Sequence, residues 1–369
     1  MSSATQAGPA QDTRRNAFGF LRLFFASLVI VSHTPEMVDG TREREPLTLL
    51  FGTISFGDLA VDAFFIISGY LITASFLSRP QIVPYLWRRI GRIYPGFLVA
   101  TFVSLFIVAP LAGTTPESLL QWSGRSIARI VFLKMPYLPD VFLDNPLTLL
   151  NGPMWTIAYE FRCYLLVIAL ALAGLFRSPG LVALASAAML SAAVLLPEPV
   201  FEAVDSIFPH STFIFGRLEE TLRLTGMFLA GSFFLLRPAL IPRGPATLGA
   251  CAAGLLACLS QPMLAGIGVA VFGAALIFGV AFGGQGRLID RINVRSDISY
   301  GAYLYAWPFE QLLIAHFPQL SLVELCLATL AFALAAGWLS WTLVERRALQ
   351  AAQKIEWPAF RRRGIESAA

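Results

Sequence analysis

Residues 17–35 read Ala17-Phe-Gly-Phe-Leu-Arg22-Leu-Phe-Phe-Ala-Ser-Leu-Val-Ile-Val-Ser-His33-Thr-Pro35. A helix needs about 20 mostly apolar residues to cross a bilayer, so this stretch predicts a first membrane span. It carries two ionisable side chains, Arg22 and His33. Their spacing of eleven residues turns a helix by about 1100° and advances it by ~16 Å. Both side chains then leave the same face, one near each end. Snorkelling of Arg22 and a helix end at His33-Thr34-Pro35 would explain the pair without any chemistry.

The rest of the 369-residue chain agrees with a membrane solvent. Hydrophobic residues make up 56% and charged residues 14%, against roughly 25% charged in soluble domains. Thirty Phe and seven Trp stand beside only two Lys, which excludes a disordered chain. The four Cys lie in apolar segments and form no Cys-x-x-Cys pair, so no metal site is expected. Nothing points to nucleic acid. Residues 1–16 are polar and expected to be disordered, and the stretch after them is read as a retained helix.

Ten apolar stretches are candidate spans: 17–35, 55–77, 93–113, 155–176, 179–196, 221–236, 246–261, 265–283, 298–316 and 321–344. The expected fold is an all-α polytopic membrane protein, with about ten transmembrane helices in one bundle over 17–345. A basic cytoplasmic tail follows at 346–369. With both termini in the cytoplasm, eighteen Arg and Lys fall inside and six outside, as the positive-inside rule requires. The segment 114–154 reads as interfacial or re-entrant. The segment 197–220 is acidic, with Glu198, Glu202, Asp205, Glu219 and Glu220.

An ionisable group within the bilayer needs a reason to be there. Asp58 and Asp62 open the second helix four residues apart; the helix dipole accounts for Asp58, whereas Asp62 needs a buried basic partner, with Arg22 the leading candidate. Ser68-Gly69 interrupts an apolar run, and small residues there permit close helix approach. Arg88-Arg89-Ile-Gly-Arg92 at the cytoplasmic end of the third helix is either a topology signal or a phosphate grip. Trp155-Thr-Ile-Ala-Tyr159-Glu160-Phe-Arg162-Cys-Tyr164 opens the fourth. An aromatic belt explains Trp155 but not Glu160.

Taken in order, these pieces make the chain resemble the membrane acyltransferase family 3, which O-acylates bacterial O-antigens, Nod factors, exopolysaccharides and periplasmic glucans. The resemblance runs over about 16–350. It rests on Arg22-x10-His33, Asp62-Ala-Phe-Phe-Ile-Ile-Ser68-Gly69, Arg89-Ile-Gly-Arg92 with Tyr94-Pro95, and Trp155 with Glu160 and Tyr164. Later come Ser299-Tyr300-Gly-Ala-Tyr303 with Pro308, then Val344-Glu345-Arg346. It implies ten helices in the bacterial inner membrane, an acyl-CoA donor with no permanently bound cofactor, and a saccharide or lipid-linked saccharide acceptor. It also implies His33 as catalytic base and Arg89 and Arg92 at the CoA end. Many members carry a His in the ninth helix; here the stretch reads Tyr303-Leu-Tyr305-Ala-Trp307-Pro308. Tyr305 and Glu310 are candidates for that space.

An alcohol needs a base to become a nucleophile, and the imidazole of His33 suits the task. Glu160 would orient the imidazole or the acceptor, and Arg22 or Ser68 would stabilise charge on the thioester oxygen. Asp62, Trp155, Tyr164, Tyr303 and Glu345 are expected to support the site. No Gly-x-Ser-x-Gly elbow is present. The acidic 197–220 segment disfavours an anionic acceptor. The rival class is a transporter or flippase, against which stands the absence of an inverted sequence repeat.

Overall fold

All ten predicted stretches fold as helices in the computed structural model, which describes residues 16–207, 211–283, 288–294 and 296–355, without the side chains of 122–126 and 211. The polar start of the chain, His210, Arg287, Arg295 and the tail beyond 355 lie outside the described residues. The helices are α1 (Phe18–Asp39), α2 (Phe56–Ser78), α3 (Ile82–Leu111), α4 (Pro116–Val131), α5 (Trp155–Leu172), α6 (Pro179–Leu195), α7 (Leu218–Leu236), α8 (Pro245–Leu259), α9 (Pro262–Phe282), α10 (Ser299–His316) and α11 (Leu322–Lys354). Among the described residues every regular element is helical.

Six of them are long and apolar enough to cross a membrane: α1, α2, α3, α5 with the turn before it, α9 and α11. A seventh candidate joins α6 to Glu198–Ile207, bent by 104°. The other expected spans differ in composition. The first turns of α7 hold Glu219, Glu220 and Arg223, α8 has only 15 residues, and α10 carries Glu310 and Gln311. Within the 114–154 segment, α4 is an amphipathic helix capped by Thr115.

Two boundaries differ from expectation. α1 does not stop at Pro35 but runs four residues further to Asp39, closed by Gly40 in the left-handed conformation. α3 starts at Ile82, so Arg88, Arg89 and Arg92 lie within its first three turns. Asp58 closes a capping box with Ser55 at the start of α2, in keeping with the dipole reading.

The α2–α7 seam organises the bundle. A Cβ on Gly69 would come within 1.9 Å of the Phe228 carbonyl oxygen, and one on Gly231 within 1.9 Å of the Ile66 carbonyl oxygen. Each helix thus lends the other a glycine, and the backbones touch, as small residues allow in membrane interfaces. Ser232 Oγ donates to the Gly69 carbonyl at 3.1 Å and shares a 2.9 Å hydrogen bond with Thr73. Beside this seam α1 packs on both α2 and α10.

Candidate active site

The predicted Arg22–Asp62 pair does not form. Arg22 Nη1 lies 3.1 Å from Asp297 Oδ2, and Asp62, 1% exposed, accepts from Arg223 Nη1 at 2.7 Å. Arg223 also reaches Glu220 at 3.0 Å. Asp62 therefore serves the α2–α7 seam.

Asp297 is the hub of the site and was not singled out in the sequence. The same Oδ2 accepts from Arg92 Nη2 at 2.6 Å, so one carboxylate ties α1 to α3. Ser299 Oγ donates to its Oδ1 at 2.7 Å, and Asn293 lies 3.4 Å from it. Asn293 takes a left-handed φ of 57° and donates to the Gly19 carbonyl at 3.0 Å. A Cβ on Gly19 would meet the Ile292 and Asn293 carbonyl oxygens within 2.9 Å. The short connection before α10 is thus clamped onto the first turn of α1, which places Asp297 between the two guanidiniums. Burial opposes its ionisation, but Arg22 and Arg92, helped by Ser299 and Asn293, hold its carboxyl down at about 2. Arg92 Nη1 also lies 3.5 Å from Glu345, which is 2% exposed.

Beside this knot opens a cavity of about 160 Å³, room for a few waters or a slender chain. Seven of the eleven predicted site residues line it: Arg22, Ser68, Arg89, Arg92, Glu160, Tyr164 and Tyr303. Glu160 Oε1 accepts from Ser68 Oγ at 3.0 Å and Tyr164 Oη at 2.7 Å. Arg89 stands over the rings of Tyr85 and Tyr164 at 5.9 and 5.8 Å, with its Nε buried and unbonded. Tyr303 Oη donates to the Pro153 carbonyl at 2.8 Å and meets Thr156 Oγ1 at 2.8 Å. Phe64, Phe65, Ile67 and Leu71 complete the apolar wall.

Four predicted residues lie off this wall. Glu345 and Asp62 are held by ion pairs, and Trp155 packs edge-on against Tyr159 at 5.4 Å. The fourth is His33, at the far end of α1. Its Nδ1 is 2.9 Å from Glu36 Oε2. Glu36 Oε1 accepts from Arg42 Nε at 3.0 Å, and Arg42 Nη1 donates to Asp58 Oδ2 at 3.1 Å. Glu160 therefore does not orient the imidazole; Glu36 does. Ending α1 at Pro35 hid this, because Glu36 is a helical i+3 neighbour only if the helix continues. The other side of the imidazole meets Trp307, centroids 5.1 Å apart and rings at 83°. Trp307 is fixed by its Nε1 donating to the Leu149 carbonyl at 2.9 Å. Of the two candidates for the space of a second His, Tyr305 instead donates to Ser340 at 3.2 Å, while Glu310 is buried with Oε1 unbonded. Among the described residues no group of three His, Cys, Asp or Glu could hold a metal ion.

Residues 15–344 match the model of a protein family described as an acyltransferase domain. The chain is 24% identical to an O-acetyl transferase of Shigella phage Sf6, over 91% of this chain and 96% of that one. Shorter matches are to the acyltransferase MdmB of Streptomyces mycarofaciens, 26% identical over 42% of this chain and 39% of the relative. Nodulation protein 10 of Rhizobium leguminosarum bv. viciae is 28% identical, over 43% and 45%. No solved structure matches the chain.

Proposed function

The chain belongs to the membrane acyltransferase family 3, and from that premise we propose that it moves an acyl group, acetyl by default, from acyl-CoA to a hydroxyl of a cell-surface or exported saccharide. What carries the reading is the division of labour along α1. One end presents Arg22 to an arginine-lined cavity, and the other presents an imidazole already held by a carboxylate. The ~16 Å between them is comparable to an extended pantetheine arm.

Arg89 has an unbonded buried Nε and stands beside Arg92 on α3. That suits the charged end of the donor, since guanidiniums grip phosphates bidentately. Arg22, committed to Asp297, belongs to the same end and not to the thioester. At the other end Glu36 accepts the Nδ1 proton, which leaves the Nε2 lone pair as the base. The acceptor oxygen adds to the thioester carbonyl carbon while Nε2 takes its proton. The adduct then expels the CoA thiolate, which takes that proton back. Glu36 stabilises the imidazolium that exists in between. Glu160, tied to Ser68 and Tyr164, gives the cavity a fixed polar wall against which the arm lies.

In this reading ten helices cross the bacterial inner membrane with both termini in the cytoplasm, as the Arg and Lys distribution favours. The arginine end then faces cytoplasmic acyl-CoA, and His33 faces the acceptor. His33→Ala is expected to abolish glycan O-acylation, read by NMR of the product, with membrane expression unchanged. Wild-type acylation in that variant would overturn the proposal.

A further inference from the structure

The cavity stops short of the base. Among the described residues α1 contributes only Arg22 to its lining, and α10 nothing beyond Tyr303, one turn before the Trp307 that meets His33. α2 begins beside Asp58, where the chain of charges from His33 ends, and then runs down the cavity. Phe64 therefore stands nearer that end than Ser68 or Leu71, which follow one and two turns later. Its ring joins three helices. It lies 6.0 Å from the Tyr303 ring of α10, at 73°, and 6.3 Å from the Phe25 ring of α1, at 67°. Phe25 is placed on α1 between Arg22 and His33. Three rings thus close the cavity on the side that leads to the imidazole.

The rings are not held alike. Tyr303 is pinned at its hydroxyl by the Pro153 carbonyl and Thr156, each at 2.8 Å, and Phe25 is buried. Phe64 is partly buried, has no polar anchor and borders the cavity. Edge-to-face contacts alone hold its ring, so it is the one free to turn about χ1. Such a turn moves no backbone, and it lengthens the cavity toward His33 without widening it. Conditions differ across the rings. On the cavity side Phe65, Ile67 and Leu71 make an apolar wall. On the other side the imidazole is joined through Glu36 to Arg42, which is nearly half exposed, so water reaches that end. A thioester beside a base and water hydrolyses: the water oxygen adds to the carbonyl carbon, the C–S bond breaks, and a proton passes to the departing thiolate, leaving free acid and thiol. Transfer to a hydroxyl needs that water kept from the donor.

We infer that Phe64 is the moving leaf of an aromatic partition, with Tyr303 its fixed post, that keeps the donor thioester apart from His33 and water and so sets the preference for a sugar hydroxyl over hydrolysis. This rests on the acyl-transfer reading above. The test uses the full chain in phosphatidylcholine nanodiscs without any acceptor. Acetyl-CoA is the substrate, release of the CoA thiol is the readout, and binding of the non-hydrolysable thioether analogue of acetyl-CoA reports a folded donor site. Phe64→Ala is expected to release thiol at least about tenfold faster than the wild type, because the thioester is then open to base-activated water. Phe64→Tyr, which keeps the ring, should restore the slow rate. Adding His33→Ala to Phe64→Ala should remove most of the excess. Should Phe64→Ala fail to bind the analogue, Phe64→Leu, which keeps apolar bulk without a ring, is judged by the same criterion. Wild-type thiol release in a ringless variant that binds the analogue would overturn the inference. So would fast release in Phe64→Tyr, or an excess that survives His33→Ala. Failure of the analogue to bind the wild type would instead overturn the acyl-transfer reading itself.

Discussion

The two ends of α1 both depend on carboxylate–cation contacts, yet they are built differently. At the Arg22 end a single partly buried carboxylate, Asp297, serves two arginines. At the His33 end, charges alternate along a chain, from imidazole to Glu36 to Arg42 to Asp58, and the chain runs out toward solvent, where Arg42 is nearly half exposed. A buried hub cannot lose a member without stranding charge, whereas a chain that ends in water relaxes at its wet end. The first is a structural lock; the second orients an imidazole through a pair that can relax toward water.

That contrast breaks most readily at the hub. Asp297→Asn would strand Arg22 and Arg92 with Glu345 alone and is expected to destabilise the protein by about 3–5 kcal/mol, seen as a lower melting temperature in detergent. A melting temperature within error of wild type would refute the lock. The same carboxyl gives a pH signature. Its native value of about 2 lies below the ordinary 3.8, so its stabilisation is complete above about pH 4 and is lost as pH falls through 2. Asp297→Asn should flatten that part of the acid-stability curve.

The Asp62–Arg223 pair comes next, and it carries the lock argument to a second site. Asp62→Leu and Arg223→Leu should each destabilise, and the double variant should be milder than their sum by about 0.5–3 kcal/mol. Strict additivity would uncouple the two.

At the other end, Glu36→Gln should leave melting nearly unchanged but slow acyl transfer by about tenfold to a hundredfold. A fully active variant would reduce Glu36 to a helix-end contact. Arg42→Ala, removing an exposed pair, is expected to alter stability by no more than about 1 kcal/mol. A larger loss would mean that the chain is as rigid as the hub.

How much of this could be read from the sequence depended on distance along the chain. Arg22 and His33 share one helix, so their common face followed from spacing alone. Ser68, Glu160 and Tyr164 stood out because polar groups in apolar helices need each other, and they do meet. Asp297 was invisible: it sits in a short connection whose conformation depends on a left-handed Asn293 and on Gly19, 274 positions before Asn293, whose missing Cβ lets the two backbones touch. Asp62 was given the wrong arginine because charge balance names a class of partner, not which helix supplies it. Glu36 was lost to Pro35, which reads as a stop locally but lies inside α1. The ten stretches were found because hydropathy is local. Which of them cross the bilayer is less so, since α7 and α10 combine apolar faces with charges that only neighbours can satisfy.

The reciprocal glycines of α2 and α7 have a mechanical consequence. Two backbones in direct contact leave no layer of side chains that could shear or swing, so these helices behave as one beam. Ser68 and the apolar wall of the cavity are mounted on that beam. Any widening that admits a donor arm falls to the opposite wall, where α3 and α5 meet the cavity through long, jointed side chains: Arg89, Arg92, Tyr164.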